Sequence, residues 1–361
     1  MALSLKRIAS AALALALGSA LAFGTAEPAH AAEKKEFRIA WTIYAGWMPW
    51  PYAQQAGIVK KWGDKYGIDV ELVQVNDYVE SINQYTAGKF DGVVMTNMDT
   101  LTIPAAGGVD SSVLIVGDYS NGNDGLVLKQ GTSIADLKGQ KVNLVELSVS
   151  HYLLARALDT AKLSEKDVKV VNTSDADIVA AANSEDVTAV VTWNPQLAEV
   201  MKGPGRTLVF DSSRIPGEIM DFTVVSTEVL KAYPALGKAL VGAWFETMGI
   251  MSRNDEAGKA ARTEMAKLSG TDLAGYEAQL KATYMYYAPK ASLAQTRSDD
   301  IVKAMDLVRS FSFDHGLLGE GAKTKDAVGI AFPGGKILGN PKNVKMRFED
   351  TYLQMAADGA L

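Results

Sequence analysis

Residues 68–99 read IDVELVQVNDYVESINQYTAGKFDGVVMTNMD, and this stretch decides the fold. Its first part, 68–75, places apolar residues at nearly alternate positions, which is typical of a half-buried β-strand. Asp77, followed three residues later by Glu80, matches the capping pattern that opens a helix. An apolar strand at 92–95 comes after that helix. A strand, a helix and a second strand in this order predict a parallel β-α-β unit.

The same alternation extends along the chain in both directions. Further strands are predicted at 37–41, 112–117, 125–129 and 141–146. Because no low-complexity linker separates the early strands from the later ones, we expect two lobes joined by two chain crossings. The predicted lobes are 32–128 together with 226–361, and 129–225. Each is expected to be an α/β lobe, with a mostly parallel sheet flanked by helices, and a helical C-terminal tail is expected to cover the first lobe.

The composition excludes several kinds of chemistry. The 361 residues carry a formal net charge of −6 and include three histidines and no cysteine. Without cysteine, the chain has no disulfide, no thiolate metal site and no lipid anchor on an N-terminal cysteine. The mildly acidic net charge also argues against a nucleic-acid partner, because phosphate binding needs a basic face. We therefore expect no cofactor, no metal and no nucleic-acid partner.

The first 31 residues are predicted to be an export signal. Lys6 and Arg7 precede an uncharged run rich in alanine and leucine, 8–24, and residues 29–31 match the small-residue cleavage pattern. A membrane anchor is the alternative, but the small residues and the cleavage pattern favour a signal. Cleavage after Ala31 leaves 34 basic and 41 acidic residues, a net charge of −7. With no cysteine to lipidate, we expect a free, monomeric protein in a Gram-negative periplasm.

Enzyme motifs are absent from the rest of the sequence. It contains no phosphate-binding P-loop, no His-Glu-x-x-His pattern and no Gly-x-Ser-x-Gly motif. The two remaining histidines, His151 and His315, are 164 positions apart, so we expect no histidine-based metal site or catalytic triad. A binding protein is favoured over an enzyme.

Unusual side chains follow the predicted strands, at the ends where open α/β sheets bind ligands. The loop after the first strand is rich in aromatic residues, and carboxylates and amides follow later strands. The predicted ligand-binding residues are Tyr44, Trp47, Trp50, Asn97, Asp99, Glu146, Ser148, Trp193 and Asp221.

Some of these residues have a purely structural alternative. For Asp99 and Ser148, a role as a helix N-cap is as well supported as a role in ligand binding. Trp41 lies inside a predicted strand and is expected to belong to the core. Trp47 and Trp50 are harder to assign to the core, because flanking glycine and prolines indicate an exposed loop.

Carboxylates beside aromatic rings, with no lysine or arginine among the loop residues, indicate a site for a small cation. A planar cation donates paired hydrogen bonds to carboxylates. It also gains about 0.5–2 kcal/mol from stacking on tryptophan. An anion site would instead collect basic side chains and free N–H groups at a helix N-terminus. Glu146 precedes such a helix, which disfavours an anion there.

At these loops the sequence resembles the nitrate, sulfonate, taurine and thiamine-precursor group of ABC-transporter substrate-binding proteins. The shared segments are the first aromatic loop, DGVVMTNMD (91–99), SVSHYLL (148–154) and VVTWNPQ (190–196). The tail segments GIAFPGGKILG (329–339) and RFEDTYL (347–353) resemble the binding proteins associated with urea carboxylase gene clusters. The similarity covers nearly all of residues 36–361.

This resemblance implies a two-lobed, type II periplasmic-binding-protein fold and a receptor for an ABC importer. The implied partners are a permease and an ATPase in the inner membrane. The urea carboxylase-associated systems handle guanidine, which implies guanidinium as the solute in the interlobe cleft. Urea, or a solute of the taurine, sulfonate or nitrate type, is the alternative. A pyrimidine-synthase-like enzyme on the same fold is a second alternative, but its cysteine-rich motif and histidines are missing here.

Overall fold

A computed structural model describes residues 34–361. The predicted signal peptide and its cleavage site lie outside the described residues. Lys35–Leu361 forms one compact unit. Within the part described, no helix has the length and apolar character needed to cross a bilayer.

Two β-sheets form the centre of this unit. Its strands are β1 (Glu36–Trp41), β2 (Asp69–Gln74), β3 (Gly92–Thr96), β4 (Ser111–Ser120), β5 (Asp124–Leu128), β6 (Lys141–Leu144), β7 (Lys169–Asn172), β8 (Ala189–Trp193), β9 (Thr207–Asp211), β10 (Met220–Ser226), β11 (Thr283–Met285), β12 (Gly329–Ala331), β13 (Ile337–Leu338) and β14 (Val344–Phe348).

Helices pack around both sheets. They are α1 (Pro49–Gln55), α2 (Ile58–Tyr66), α3 (Tyr78–Thr86), α4 (Asn97–Thr100), α5 (Val149–Thr160), α6 (Ile178–Asn183), α7 (Gln196–Met201), α8 (Thr227–Ala232), α9 (Pro234–Met251), α10 (Glu256–Leu268), α11 (Leu273–Lys281), α12 (Pro289–Thr296), α13 (Asp299–Asp314) and α14 (Thr351–Ala357). Short 3₁₀ helices and one π-helical turn, Leu101–Ala105, complete the fold. Asp77 caps α3 as its sequence pattern predicts, by accepting the N–H of Glu80 at 2.8 Å.

The first sheet has the order β13-β12-β14-β4-β10-β3-β1-β2, with β11 paired to β4. Strand β1 runs parallel to β2 and β3, which confirms the predicted β-α-β units. The second sheet has the order β7-β6-β8-β5-β9. We call residues 34–120 with 220–361 the first-sheet domain, and residues 124–211 the second-sheet domain.

The chain changes sheet at 121–123 and again at 212–219. Both positions precede the predicted lobe boundaries, because Asp124–Leu128 pairs with β8 and β9 while Met220–Ser226 pairs with β3 and β4. Strand β5 is buried at each residue and β10 at nearly each one. Because both faces of these strands are buried, the sequence shows no alternation that would assign them to one sheet or the other.

The α/β class is confirmed, but each sheet is mixed rather than mostly parallel. Strand β10 runs antiparallel to both neighbours in the first sheet, and β5 does so in the second. The C-terminal tail also differs from the prediction, because it adds strands as well as helices. Strands β12, β13 and β14 extend the first sheet beyond β4.

Candidate functional site

A small cavity lies where strands of the two sheets meet. Its lining combines aromatic, acidic and aliphatic side chains from both domains: Tyr44, Trp47, Tyr78, Thr96, Asp124, Val149, Trp193, Ile219 and Asp221. The cavity offers about 20 Å³ to the centre of a water-sized molecule. Because one water needs roughly 10–15 Å³ by this measure, the space suits a solute of only a few heavy atoms.

Four aromatic rings form a continuous wall along the cavity. The ring centroids of Tyr44 and Trp47 are 5.0 Å apart, those of Trp47 and Tyr78 are 5.7 Å apart, and those of Tyr78 and Trp193 are 5.6 Å apart. Tyr44 is the N-cap and Trp47 the last residue of a single 3₁₀ turn after β1, while Trp193 ends β8. The wall therefore joins the two domains, since Tyr78 begins a helix of the first and Trp193 belongs to the second.

Two carboxyl groups face each other on neighbouring strands of the first sheet. Asp118 of β4 and Asp221 of β10 are register partners, and their carboxyl groups are close enough to hydrogen-bond. Burial raises the pKa of Asp118 to about 7. Burial and the charge of Asp118 raise the pKa of Asp221 well above its ordinary value. Two adjacent buried carboxyl groups cannot both ionise freely, so Asp118 and Asp221 together retain a proton near neutral pH when no cation is bound.

The loop after β1 approaches this pair closely. The hydroxyl of Tyr44 donates to Asp118 Oδ1 at 3.2 Å, whereas Asp118 Oδ2 is buried without a hydrogen-bond partner. A Cβ atom on Gly46 would stand 2.4 Å from that unpaired oxygen. Glycine is therefore required at this position for the carboxyl group to stay where it is.

A third carboxyl group, Asp99, lies directly behind the lining residues Tyr78 and Thr96. Its Oδ2 accepts hydrogen bonds from the Tyr78 hydroxyl at 2.7 Å and the Thr96 hydroxyl at 2.8 Å, while its Oδ1 is buried and unpaired. Burial raises the pKa of Asp99 to about 6, against the lowering effect of these hydrogen bonds. Thr96, not Asp99, is the N-cap of α4.

The fourth carboxyl group, Asp124, comes from the second sheet. Its backbone N–H donates to Ser120 Oγ at 3.1 Å, which fixes the start of β5 next to the end of β4. Burial raises the pKa of Asp124 to about 6, and the negative charge of Asp99 adds to the increase. The two domains thus each contribute negative charge to the same small space.

No basic residue balances this charge within the described residues. None of the four carboxyl groups forms an ion pair with lysine, arginine or histidine, and no basic side chain lines the cavity. Buried carboxylates without a counter-charge either take up protons or bind a cation. The arrangement is suited to a small cation that donates hydrogen bonds.

Of the nine predicted residues, Tyr44, Trp47, Trp193 and Asp221 line the cavity, and Asp99 lies just behind it. Trp50 is placed elsewhere: its Nε1 donates to Thr223 Oγ1 at 3.2 Å and its ring packs on Trp244. Asn97 donates to the Glu218 carbonyl at 2.9 Å and accepts the Met220 N–H at 3.2 Å. It therefore anchors the second crossing between the sheets.

Ser148 and Glu146 are also outside the cavity lining. Ser148 is the N-cap of α5 and accepts the N–H of Ser150, as its structural alternative suggested. Glu146 is exposed, and the chain turns through Leu147, whose φ is 64°, before the helix begins. Trp41 is buried in β1, also in keeping with its structural alternative.

Sequence reasoning missed Tyr78, Thr96, Asp118 and Asp124. Asp118 directly follows the predicted strand 112–117, and Asp124 directly precedes the strand 125–129. Asp118 and Asp124 flank the first crossing between the sheets, so a search of the residues on each side of that crossing would have found them. Tyr78 follows a residue already identified as a helix cap, but nothing in its neighbourhood distinguishes it from a core tyrosine.

The two histidines lie close together in the structure, although 164 positions separate them in the sequence. His151 and His315 both contact Glu165, and the potential ligand atoms of these three residues lie within 4.8 Å of one another. Residues 164 positions apart meet because α13 of the first-sheet domain packs beside α5 of the second-sheet domain.

Relatives found by sequence are distant. A Brucella abortus protein named as a binding protein is 25% identical over 216 residues, which is 58% of this chain and 66% of that protein. An Escherichia coli protein named as an aliphatic sulfonates-binding protein is 28% identical over 171 residues, 46% of this chain and half of that protein. The chain thus matches just under two thirds of the length of the Brucella relatives.

Solved structures share the fold. The alkanesulfonate-binding protein SsuA of Xanthomonas axonopodis, bound to MOPS, superposes with a TM-score of 0.68 and 18% identity, over 82% of this chain and 99% of that one. The nitrate-binding protein NrtA of Synechocystis has a TM-score of 0.66 and 14% identity, over 91% and 89%. The desulfurization enzyme DSZB has a TM-score of 0.60 and 14% identity, over 91% and 100%.

These likenesses show that the chain has the periplasmic-binding-protein fold. Because both binding proteins and an enzyme have this fold, the fold alone does not indicate one activity. Sequence places the chain more narrowly. The sequence profile of the NMT1-like family matches residues 30–268, which is well over half of the chain. The protein therefore belongs to the NMT1-like family.

Proposed function

We propose that this protein is the periplasmic receptor of an ABC importer and that it captures guanidinium in the cavity between its two sheets. The receptor role is supported by the family, by relatives named as binding proteins and by a fold shared with periplasmic binding proteins. Its partners would be a permease and an ATPase of the inner membrane. The predicted export signal agrees with that location.

The observation that carries guanidinium is the group of four buried carboxyl groups without a basic partner. Guanidinium is planar and has only donors, six N–H groups in one plane. Asp124 and Asp221 line the cavity, whereas Asp99 and Asp118, each with one buried unpaired oxygen, contact its lining residues from behind. A guanidinium ion in the cavity donates to the lining carboxylates and offsets the negative charge of the whole group, while the aromatic wall contributes cation–π attraction of about 0.5–2 kcal/mol.

The same charges disfavour the anions named for several relatives. Sulfonate and nitrate need positive side chains or free N–H groups, and none of the side chains that line this cavity is basic. An anionic ligand would add a further negative charge beside Asp118, Asp124 and Asp221, and the repulsion between these charges would be strong at low dielectric. The cavity is also too small for a bulky sulfonate.

Urea is the second candidate, and one observation favours it. Trp47 Nε1 is a buried donor without a partner. The carbonyl oxygen of urea would accept that N–H, whereas guanidinium has no acceptor to offer. Urea would leave the carboxylates uncompensated unless they bind protons, so guanidinium remains the first choice.

Calorimetric titration with guanidinium, urea, taurine and nitrate tests the ligand class. Guanidinium is expected to bind most tightly, and taurine and nitrate are expected not to bind. Glu146→Gln serves as the control, since this exposed carboxylate lies outside the cavity lining and its loss should leave affinity unchanged. Binding of urea or taurine in the absence of guanidinium binding would overturn the proposal.

Trp47→Phe distinguishes the two candidates. The substitution keeps an aromatic ring in the wall but removes the unpaired N–H. Guanidinium affinity should change by less than about threefold, whereas urea affinity should fall about tenfold if its carbonyl accepts that N–H. Titration of both solutes against the variant measures this. A tenfold loss for guanidinium would show that the indole N–H has another role.

A transport receptor performs no covalent chemistry, and the carboxyl groups described here hold charge rather than activate a nucleophile. Incubation of the protein with guanidinium or urea should return the solute unchanged. Appearance of ammonia would instead favour an enzyme on this fold.

A further inference from the structure

Three ionisable side chains meet at a second place where the domains touch, away from the cavity. His315 directly follows α13 of the first-sheet domain, whereas His151 on α5 and Glu165 belong to the second-sheet domain. Helix α13 packs against α4, which places it with the first sheet. His151 is buried, and the side chains of Glu165 and His315 are 30% and 19% exposed.

The hydrogen bonds of His315 define its protonation state. Its Nδ1 lies 2.8 Å from the carbonyl oxygen of Phe311, and its Nε2 faces Glu165 Oε2. A carbonyl and a carboxylate oxygen can only accept, so both ring nitrogens must carry protons. In this arrangement His315 is a positively charged imidazolium.

His151 is different, because it remains neutral. The backbone N–H of Leu147 donates to His151 Nδ1 at 3.1 Å, so that nitrogen carries no proton. The proton is therefore on Nε2, which donates to Glu165 Oε1. The cluster holds one positive and one negative charge.

These hydrogen bonds argue against a metal ion at the cluster. A metal bound to His151 Nε2 would displace its proton, yet Nδ1 already accepts a hydrogen bond and cannot take that proton up. Histidine ligands of metals normally donate through the other ring nitrogen. His315 could meet that requirement, but His151 does not.

We propose that Glu165 and His315 form a proton-dependent latch that holds the two domains together. The ion pair is the polar part of a contact whose apolar part is Phe311. The ring of Phe311 stacks on His315 at 4.0 Å and meets Tyr152 of α5 edge-on at 5.1 Å. Loss of a proton from His315 removes the positive charge that pairs with Glu165 across this contact.

The other charged groups around the latch also favour the protonated form of His315. On α5, Arg156 is engaged by Glu218 and Asp159, at 2.8 and 3.5 Å. On α13, the carboxylate of Asp314 adds negative charge near His315. His151 and Tyr152 face the cluster as neutral groups.

The direction of the pH response follows from these contacts. The hydrogen bond with Glu165 raises the pKa of His315 above 6.5, and both histidines lower the pKa of Glu165 to about 2, against the effect of burial. The latch is therefore complete below pH 6.5 and is lost as the pH rises through the raised pKa of His315. Alkaline conditions should separate the domains.

The test measures the domain distance by single-molecule energy transfer without any solute. Because the chain has no cysteine, substitutions Lys89→Cys and Lys141→Cys place one dye on an exposed site of each domain. The short-distance population should fall about tenfold between pH 6 and pH 9. In His315→Gln and Glu165→Gln, that population should be low at both pH values. Circular dichroism establishes that each variant is folded. If only one of the two variants folds, that variant alone provides the test.

Two results would overturn the latch. One is a distance distribution that does not change with pH, or that changes equally in the wild type and both variants. The other is closure of the wild type, but not of His315→Gln, by one equivalent of Zn²⁺ at pH 7.5, which would show a metal site instead. Since no solute is present, either result leaves the proposal for guanidinium unaffected.

Discussion

Asp221→Asn is expected to weaken guanidinium binding by about 100-fold. The substitution keeps the size of the side chain but replaces a carboxyl group that can ionise when the cation binds with an amide that cannot. Loss of one partner from a buried ion pair costs about 3 kcal/mol, and each 1.4 kcal/mol is a factor of ten in affinity. Calorimetric titration of the purified variant measures the loss.

The same substitution should not destabilise the empty protein. In the absence of solute, ionisation of both Asp221 and Asp118 is unfavourable and the pair retains a proton, so a neutral amide at position 221 costs the protein little stability. The melting temperature without solute should stay equal or rise, while the increase caused by guanidinium should disappear. Glu146→Gln is the matched control with unchanged values for both. A variant that melts lower and still binds guanidinium would contradict the assigned role of Asp221.

The second large effect is that of pH on affinity. Guanidinium favours ionised carboxylates, but burial raises the pKa values of Asp99 and Asp124 to about 6 and that of Asp118 to about 7. At pH 5 these groups are mostly protonated, and a proton must leave before a charge is available. Affinity should therefore be about 100-fold weaker at pH 5 than at pH 7.5, since each pH unit below a required pKa costs a factor of ten.

Titrations in two buffers of different ionisation enthalpy test this directly. Binding at pH 6 should release protons, and the measured heat should differ between the buffers accordingly. Affinity that is constant from pH 5 to pH 7.5 would show that none of these carboxyl groups changes its charge on binding. The measurements stop at pH 7.5, so that deprotonation of His315 contributes least.

Stability of the empty protein should show the opposite trend. A carboxyl group with a raised pKa binds more protons in the folded than in the unfolded chain between about pH 4 and pH 7. The contribution of these groups to stability is therefore present at low pH and lost as the pH rises through their folded pKa values. Guanidinium should restore more stability at pH 7.5 than at pH 5.

The sequence alone determined the fold class and pointed to four of the residues that line the cavity. Alternation in residues 68–75, the cap at Asp77 and the apolar run at 92–95 are local signals, and the structure forms a parallel β-α-β unit there. Trp47 and Trp193 were found because they follow strands, whose ends converge at one edge of a sheet. These predictions hold because helix and strand periodicity depends on neighbours in the chain.

Only the tertiary structure decided which distant residues meet. Asp118 faces Asp221 because β10 returns antiparallel beside β4, and His315 reaches Glu165 because α13 packs against the other domain. Strand pairing of buried segments is set by the packing of the whole core, and a buried segment such as 220–226 carries no mark of its partner strand. Several residues of the cavity lining were thus legible in the sequence, but their assembly into one cavity was decided by long-range packing.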